Sequence, residues 1–115
     1  MALDVIQAAD TINELENFLD RKRPAEHIRD QLDIAYKIDN QSIIIHEVRP
    51  AFEDPDRTIE PPIAKATWVH TRNEWKVFWM RGNLKWSSYQ AKPTVKSIKD
   101  FIKLVEEDSH YCFWG

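Results

Sequence analysis

The chain has 115 residues, the size of one ordinary domain; 43% are hydrophobic, 30% are charged and only two are glycine, a mixture that excludes disorder and low complexity. Its single cysteine, Cys112, excludes an intrachain disulfide and fits a reducing, cytoplasmic setting. The net charge of −3 conceals a division: from Lys65 to Lys103 nine basic residues face only Glu74 and Asp100, a net +7, so the remainder carries −10.

The opening MALDVIQAAD has no basic segment and no long apolar run, so no signal peptide is expected there. The first element reads as a helix. Asp4 and Gln7 form a capping-box pattern, and Val5, Ala8, Ile12, Leu15 and Leu19 form one apolar stripe at helical spacing. Arg21-Lys22-Arg23 suits a helix C-terminus and Pro24 ends it; PAEHIRDQL adds at most a short helical turn. The period then changes to two. LDIAYKI is a half-buried strand with Leu32, Ile34, Tyr36 and Ile38 on one side, and Asp39-Asn40-Gln41 is a turn. SIIIHEVR is a central or covered strand, because Ile43, Ile44 and Ile45 are apolar on both faces. The segment from Pro50 to Pro62, with four prolines and several acids, reads as loop. IAKATWVHT and EWKVFWMR follow as strands around a tight turn at Arg72-Asn73. Gly82-Asn83 signals a two-residue hairpin loop into the strand LKWSSY. Ser97 and Asp100 cap a last helix with the stripe Ile98, Phe101, Ile102 and Val105, before the aromatic tail SHYCFWG.

The expected fold is therefore a single α+β domain: an antiparallel meander of about five strands, with an N-terminal and a C-terminal helix packed on one face. No apolar run exceeds Ile43–Ile45 or Val77–Met80, so no membrane span is expected.

Two-residue loops would fix the pairing. Arg81 would face Leu84, Trp79 would face Trp86 and Val77 would face Ser88; on the other side His70 would face Trp75 and Trp68 would face Val77. One face then carries Ala64, Ala66, Trp68, Trp75, Val77, Trp79, Leu84 and Trp86, a natural core beneath the helices. It would also hold His70 as a partly buried neighbour of Trp75. The other face carries Lys65, Lys76, Phe78, Met80, Lys85 and Tyr89. Basic side chains beside exposed aromatics suit an anionic partner, nucleic acid or an acidic protein surface, through charge neutralisation and stacking. The expected binding residues are Lys65, Lys76, Phe78, Lys85 and Tyr89.

Catalytic patterns are sparse. Pro55-Asp56 followed by Glu74-Trp75-Lys76 resembles the PD-(D/E)xK nuclease motif, in which Asp56 and Glu74 would hold a divalent metal and Lys76 would steady the attacking water. His110 and Cys112 would point the same way in an extended tail, although a packed cysteine is the simpler expectation. The four histidines have no metal-ligand spacing, and two glycines build no phosphate loop. No cofactor is expected.

RKRP, LDIAYKI, IAKATWVHTRNEWKVFWMRGNLKWSSY, FIKLVEED and YCFWG resemble the bacterial family called domain of unknown function 3024, over nearly the whole chain. The resemblance implies a small single-domain protein with no catalytic residues to carry over. It also implies relatives with His at the position of Ser87 and no acid at that of Glu74, which weighs against the nuclease pattern. The preferred expectation is a non-catalytic binding module. The alternatives are a metal-dependent nuclease or a structural protein, with a homodimer among the possible assemblies.

Overall fold

In the computed structural model, which describes residues 3–114, the chain begins with helix α1, Val5–Lys22. Met1, Ala2 and Gly115, which closes the aromatic tail, lie outside the described residues. The Asp4 carboxylate accepts the Gln7 backbone N–H at 2.7 Å, satisfying a donor that every helix start leaves without an intrahelical partner. At the other end, the Arg23 guanidinium donates to both carboxylate oxygens of Asp33 at 2.8 and 2.6 Å. This two-pronged contact ties the end of α1 to the start of the sheet. The short helical turn expected from PAEHIRDQL is a 3₁₀ turn over Glu26–Ile28.

The buried face of α1 departs from the expected stripe. Thr11, Leu15 and Phe18 are buried, whereas Val5 and Ile12 are exposed. Both stripes share Leu15 and differ by a fraction of a turn. Phe18 is the largest apolar side chain available, and seating it rotates Val5 and Ile12 toward solvent.

The strands are β1 (Asp33–Asp39), β2 (Ser42–Pro50), β3 (Thr58–Ile59), β4 (Pro62–Val69), β5 (Glu74–Met80), β6 (Trp86–Ser88) and β7 (Thr94–Val95). Five of them form the expected meander in the order β1-β2-β4-β5-β6, every neighbour antiparallel. Two short strands were hidden in segments of loop composition: β3 pairs with the end of β2, and β7 pairs with β5. Helix α2 (Ile98–Glu107) follows, its first turn capped by Ser97, which accepts the Asp100 N–H at 3.1 Å. Ile98, Phe101, Ile102 and Val105 are buried, the stripe that the sequence shows.

Both helices cover one face of the sheet. Leu15 and Phe18 of α1 and the α2 stripe pack with Ile43, Ile45, Ala64, Ala66, Trp75 and Val77 in one cluster. Ala64 and Ala66 are fully buried, and their small size lets the helices approach the sheet beside the large rings. Trp68 and Trp75 stand opposite each other across β4 and β5, with ring centroids 5.3 Å apart.

The two loops flanking β5 are both longer than expected. Val69 pairs with Glu74, so the first loop has four residues, His70–Asn73, with Asn73 left-handed at φ 49°. Trp68 therefore faces Trp75, Val77 faces Ala66, and His70 is exposed rather than set beside Trp75. Moving the pairing by two positions keeps every β4 and β5 side chain on its expected face.

The second loop differs by one, and the consequence is larger. Met80 pairs with Trp86, Trp79 with Ser87 and Phe78 with Ser88. The Arg81 N–H donates to Lys85 O, closing a three-residue loop of Gly82, Asn83 and Leu84 with Leu84 left-handed at φ 62°. Two residues in a turn followed by a left-handed third is a common hairpin form. A one-residue shift sends every β6 side chain to the opposite face. Trp86 leaves the expected core row, Leu84 is 80% exposed, and Tyr89 enters the core at 3% exposure.

The tail is turned, not extended. Asp108 ends α2 in the left-handed region, and its carboxylate accepts the N–H groups of Phe113 at 3.0 Å and Trp114 at 2.9 Å. The Trp114 indole donates to Val105 O at 2.9 Å, and Phe113 lies against Tyr89 with centroids 4.8 Å apart.

Candidate functional site

The sheet face away from the helices carries three cross-strand rows. The registers align Lys37, Ile44, Lys65, Phe78 and Ser88 in one row. Ser42, Thr67, Lys76 and Thr94 form the next, and Met80 and Trp86 stand on the far side of Phe78. None of these side chains is buried, and no helix covers them.

Lys65 is the centre of this face. Its Nζ lies 4.7 Å from the Phe78 ring centroid and 5.0 Å from that of Trp86. The two rings sit on adjacent strands, and the lysine spans from β4 across Phe78 to reach Trp86. A cation held over two aromatic faces gains from both ring quadrupoles. Among the described residues Lys65 has no carboxylate partner and no hydrogen bond, and partial burial pushes its pKa below the ordinary lysine value. By contrast, Lys37 is neutralised by Glu60 at 2.9 Å, and Lys96 lies 3.5 Å from Glu74. Lys76, diagonal to Lys65 across the β4–β5 pair, is exposed with no ion pair among the described residues. Ser42 and Thr67 share a hydroxyl–hydroxyl bond of 2.8 Å beside it.

Of the five residues expected to bind, the fold brings Lys65, Lys76 and Phe78 together. Lys85 stands opposite Arg81 on the side of Trp79, and Tyr89 is buried. The residue the sequence reading missed is Trp86. Its exposure was hidden because the amphipathic pattern of LKWSSY points the other way: Leu84, Trp86 and Ser88 share one face, and Lys85, Ser87 and Tyr89 share the other. That pattern favours the Leu84–Trp86 face as core, and the three-residue loop overrides it by shifting the register by one.

The nuclease residues are not assembled. Glu74 and Lys76 share a face at the Val69 end of β4. Asp56 lies in the loop joining β2 to β3, beyond the opposite, Pro62 end. At ~3.3 Å per residue, the length of β4 alone separates the two ends by roughly 20 Å, too far for one ion. Among the described residues no group of three or more His, Cys, Asp and Glu side chains converges on a point. Cys112 is no activated nucleophile either. Burial and the Asp108 carboxylate push its thiol pKa up, and the thiol donates to His110 O at 3.7 Å.

No helix among the described residues is long and apolar enough to cross a membrane. Neither the curated proteins nor the solved structures contain a match to this chain. A family model does match, over residues 3–115 and so nearly the whole length, including the β5–β6 hairpin and the aromatic tail, and the chain belongs to that family, the Domain of unknown function (DUF3024).

Proposed function

We propose that the protein is a non-catalytic binding module that takes single-stranded nucleic acid on the open sheet face. One observation carries this reading: Lys65, without an anionic partner, is held 4.7 and 5.0 Å from Phe78 and Trp86 on a face that no helix covers. An ammonium fixed beside two accessible rings matches the two demands of a single strand, phosphate neutralisation and a surface for base stacking. Lys76 adds a second cation, diagonal to Lys65 at the ~7–8 Å typical of such cross-strand neighbours. The reading revises the expected set to Lys65, Lys76, Phe78 and Trp86, and removes Lys85 and Tyr89.

The test is a titration of the full chain with a fluorescein-labelled single-stranded oligonucleotide at low salt. Binding is expected to quench tryptophan fluorescence and to weaken steeply as salt rises. Trp86→Ala is expected to cost ~1–3 kcal/mol of binding, the usual worth of one base–aromatic stack. Lys65→Glu is expected to abolish binding, and Lys85→Glu to have little effect. Absence of salt-sensitive binding, or equal losses for the Lys65 and Lys85 variants, would sink the proposal. Binding of polyglutamate in place of the oligonucleotide would transfer the face to an acidic protein partner.

A further inference from the structure

A second feature lies on the helix-bearing side, where β5, the segment after β6 and the aromatic tail meet. A cavity of about 450 Å³ is lined by Trp79, Tyr89, Gln90, Ala91, His110 and Cys112. That volume is within the ~300–1,000 Å³ range of small-molecule sites. Its walls are largely apolar, and none of its described lining residues is Lys, Arg, Asp or Glu.

Tyr89 gives the cavity its polarity. The residue is only 3% exposed, yet its hydroxyl has no hydrogen-bond partner among the described residues. No polar side-chain atom among the described residues is both sealed and unpartnered, so the small exposed part of Tyr89 includes that hydroxyl. A phenol buried to this degree ordinarily finds a partner. The ring cannot swing away to seek one, because it is packed on Phe113 at 4.8 Å and against the His110 ring at 6.3 Å. Burial, the Cys112 thiol and the Asp108 carboxylate all push the phenol pKa up, so at neutral pH the group is a hydrogen-bond donor. Tyr89 and Cys112 line the same cavity.

We propose that this cavity is a binding site for a small, neutral, planar ring carrying a carbonyl acceptor, with the ring against the Trp79 indole and the carbonyl on the Tyr89 hydroxyl. A carboxylate in particular would be poorly accommodated, since no Lys or Arg lines the walls to neutralise it. The site is independent of the open sheet face, which lies on the other side of β5, and neither reading requires the other.

Benzamide is the probe, followed by ¹H–¹⁵N correlation spectra of the full chain. Saturable shifts are expected at the Trp79 indole N–H, the Gln90 side-chain amide and the backbone of His110 and Cys112. Benzoate is expected to bind at least ~5-fold more weakly, and ethylbenzene, which lacks the acceptor, likewise; the loss of one neutral hydrogen bond has this size. Tyr89→Phe keeps the ring on Phe113 and removes only the hydroxyl. It should weaken benzamide ~5-fold and leave ethylbenzene unchanged. Non-saturating or scattered shifts, equal affinity for benzoate, or unaltered benzamide affinity in Tyr89→Phe would each overturn the assignment. A measurement on the unaltered chain gives a check that no variant can confound: benzamide should slow alkylation of Cys112 by N-ethylmaleimide, and an unchanged rate would also overturn it.

Discussion

The two hairpins on either side of β5 look alike in sequence and differ in what they decide. The loop before β5 has four residues and the loop after it has three. Reading both as two-residue turns misplaces the first pairing by two positions and the second by one. The first error leaves Trp68, Trp75, Val77 and Trp79 on their proper face; the second exchanges Trp86 and Tyr89 between core and surface. In a pleated strand only the parity of the shift matters to the face a side chain takes. The make-up of the proposed binding surface thus depends on one residue in one loop.

That exchange can be tested directly, and its effect on stability is the largest expected. Tyr89→Ala removes a core ring packed on Phe113 and should cost about 3 kcal/mol or more in urea denaturation. Trp86→Ala removes a partly buried ring outside the core and one cation–π contact, so about 1 kcal/mol is expected. The reverse ranking would mean that β6 runs in the two-residue register and that Trp86 belongs to the core.

The contrast also marks how far the sequence determines the structure. The caps at Asp4 and Ser97, the α2 stripe and the strand order were legible because each rests on a local pattern with a strong physical cause. Lys65, Lys76 and Phe78 were legible as neighbours because an error of two positions preserves faces. Trp86 was not, since both registers of LKWSSY bury one aromatic residue and expose the other. The α1 face was misread for a related reason: two overlapping stripes share Leu15, and the size of Phe18 decides between them only once the helix meets the sheet. The turn at Asp108, which gathers Phe113 and Trp114, has no sequence signature beyond an acid after a helix. The cavity beside it was illegible because its walls come from β5, the segment after β6 and the tail.

A smaller effect separates the loops themselves. Each contains one non-glycine residue in the left-handed region, Asn73 at φ 49° and Leu84 at φ 62°. Asparagine visits this region at low cost, whereas leucine pays roughly 1–2 kcal/mol. Leu84 is 80% exposed, so little packing offsets that strain. Gly82 does not relieve it, because the loop places the left-handed residue two positions later. Leu84→Gly is therefore expected to raise stability by about 0.5–1 kcal/mol, the relieved strain less the added freedom of the unfolded chain. Asn73→Gly should change it by under ~0.5 kcal/mol. Denaturation midpoints of the two variants compared with the parent chain check both values. Equal gains would mean that the two loops are strained alike and that the three-residue assignment is wrong.

The smallest expected effect lies at alkaline pH and reports on the same exchange. Burial, Cys112 and Asp108 raise the Tyr89 phenol pKa above the ordinary value of 10.0. In the unfolded chain the phenol ionises near that ordinary value, so the folded state binds its proton more tightly. The associated stabilisation is complete below the unfolded pKa and is lost as pH rises through the higher folded one. Tyr36, pushed up to about 12 by burial and by donating its hydroxyl to Glu16, contributes a loss in the same direction. Stability of the parent chain should therefore fall above pH 10, and Tyr89→Phe should fall less steeply while Tyr36 still titrates. Ultraviolet difference titration of the phenols alongside urea denaturation separates the two. A Tyr89 on the open face would be hydrated and remote from Asp108, and its removal would leave the alkaline slope unchanged.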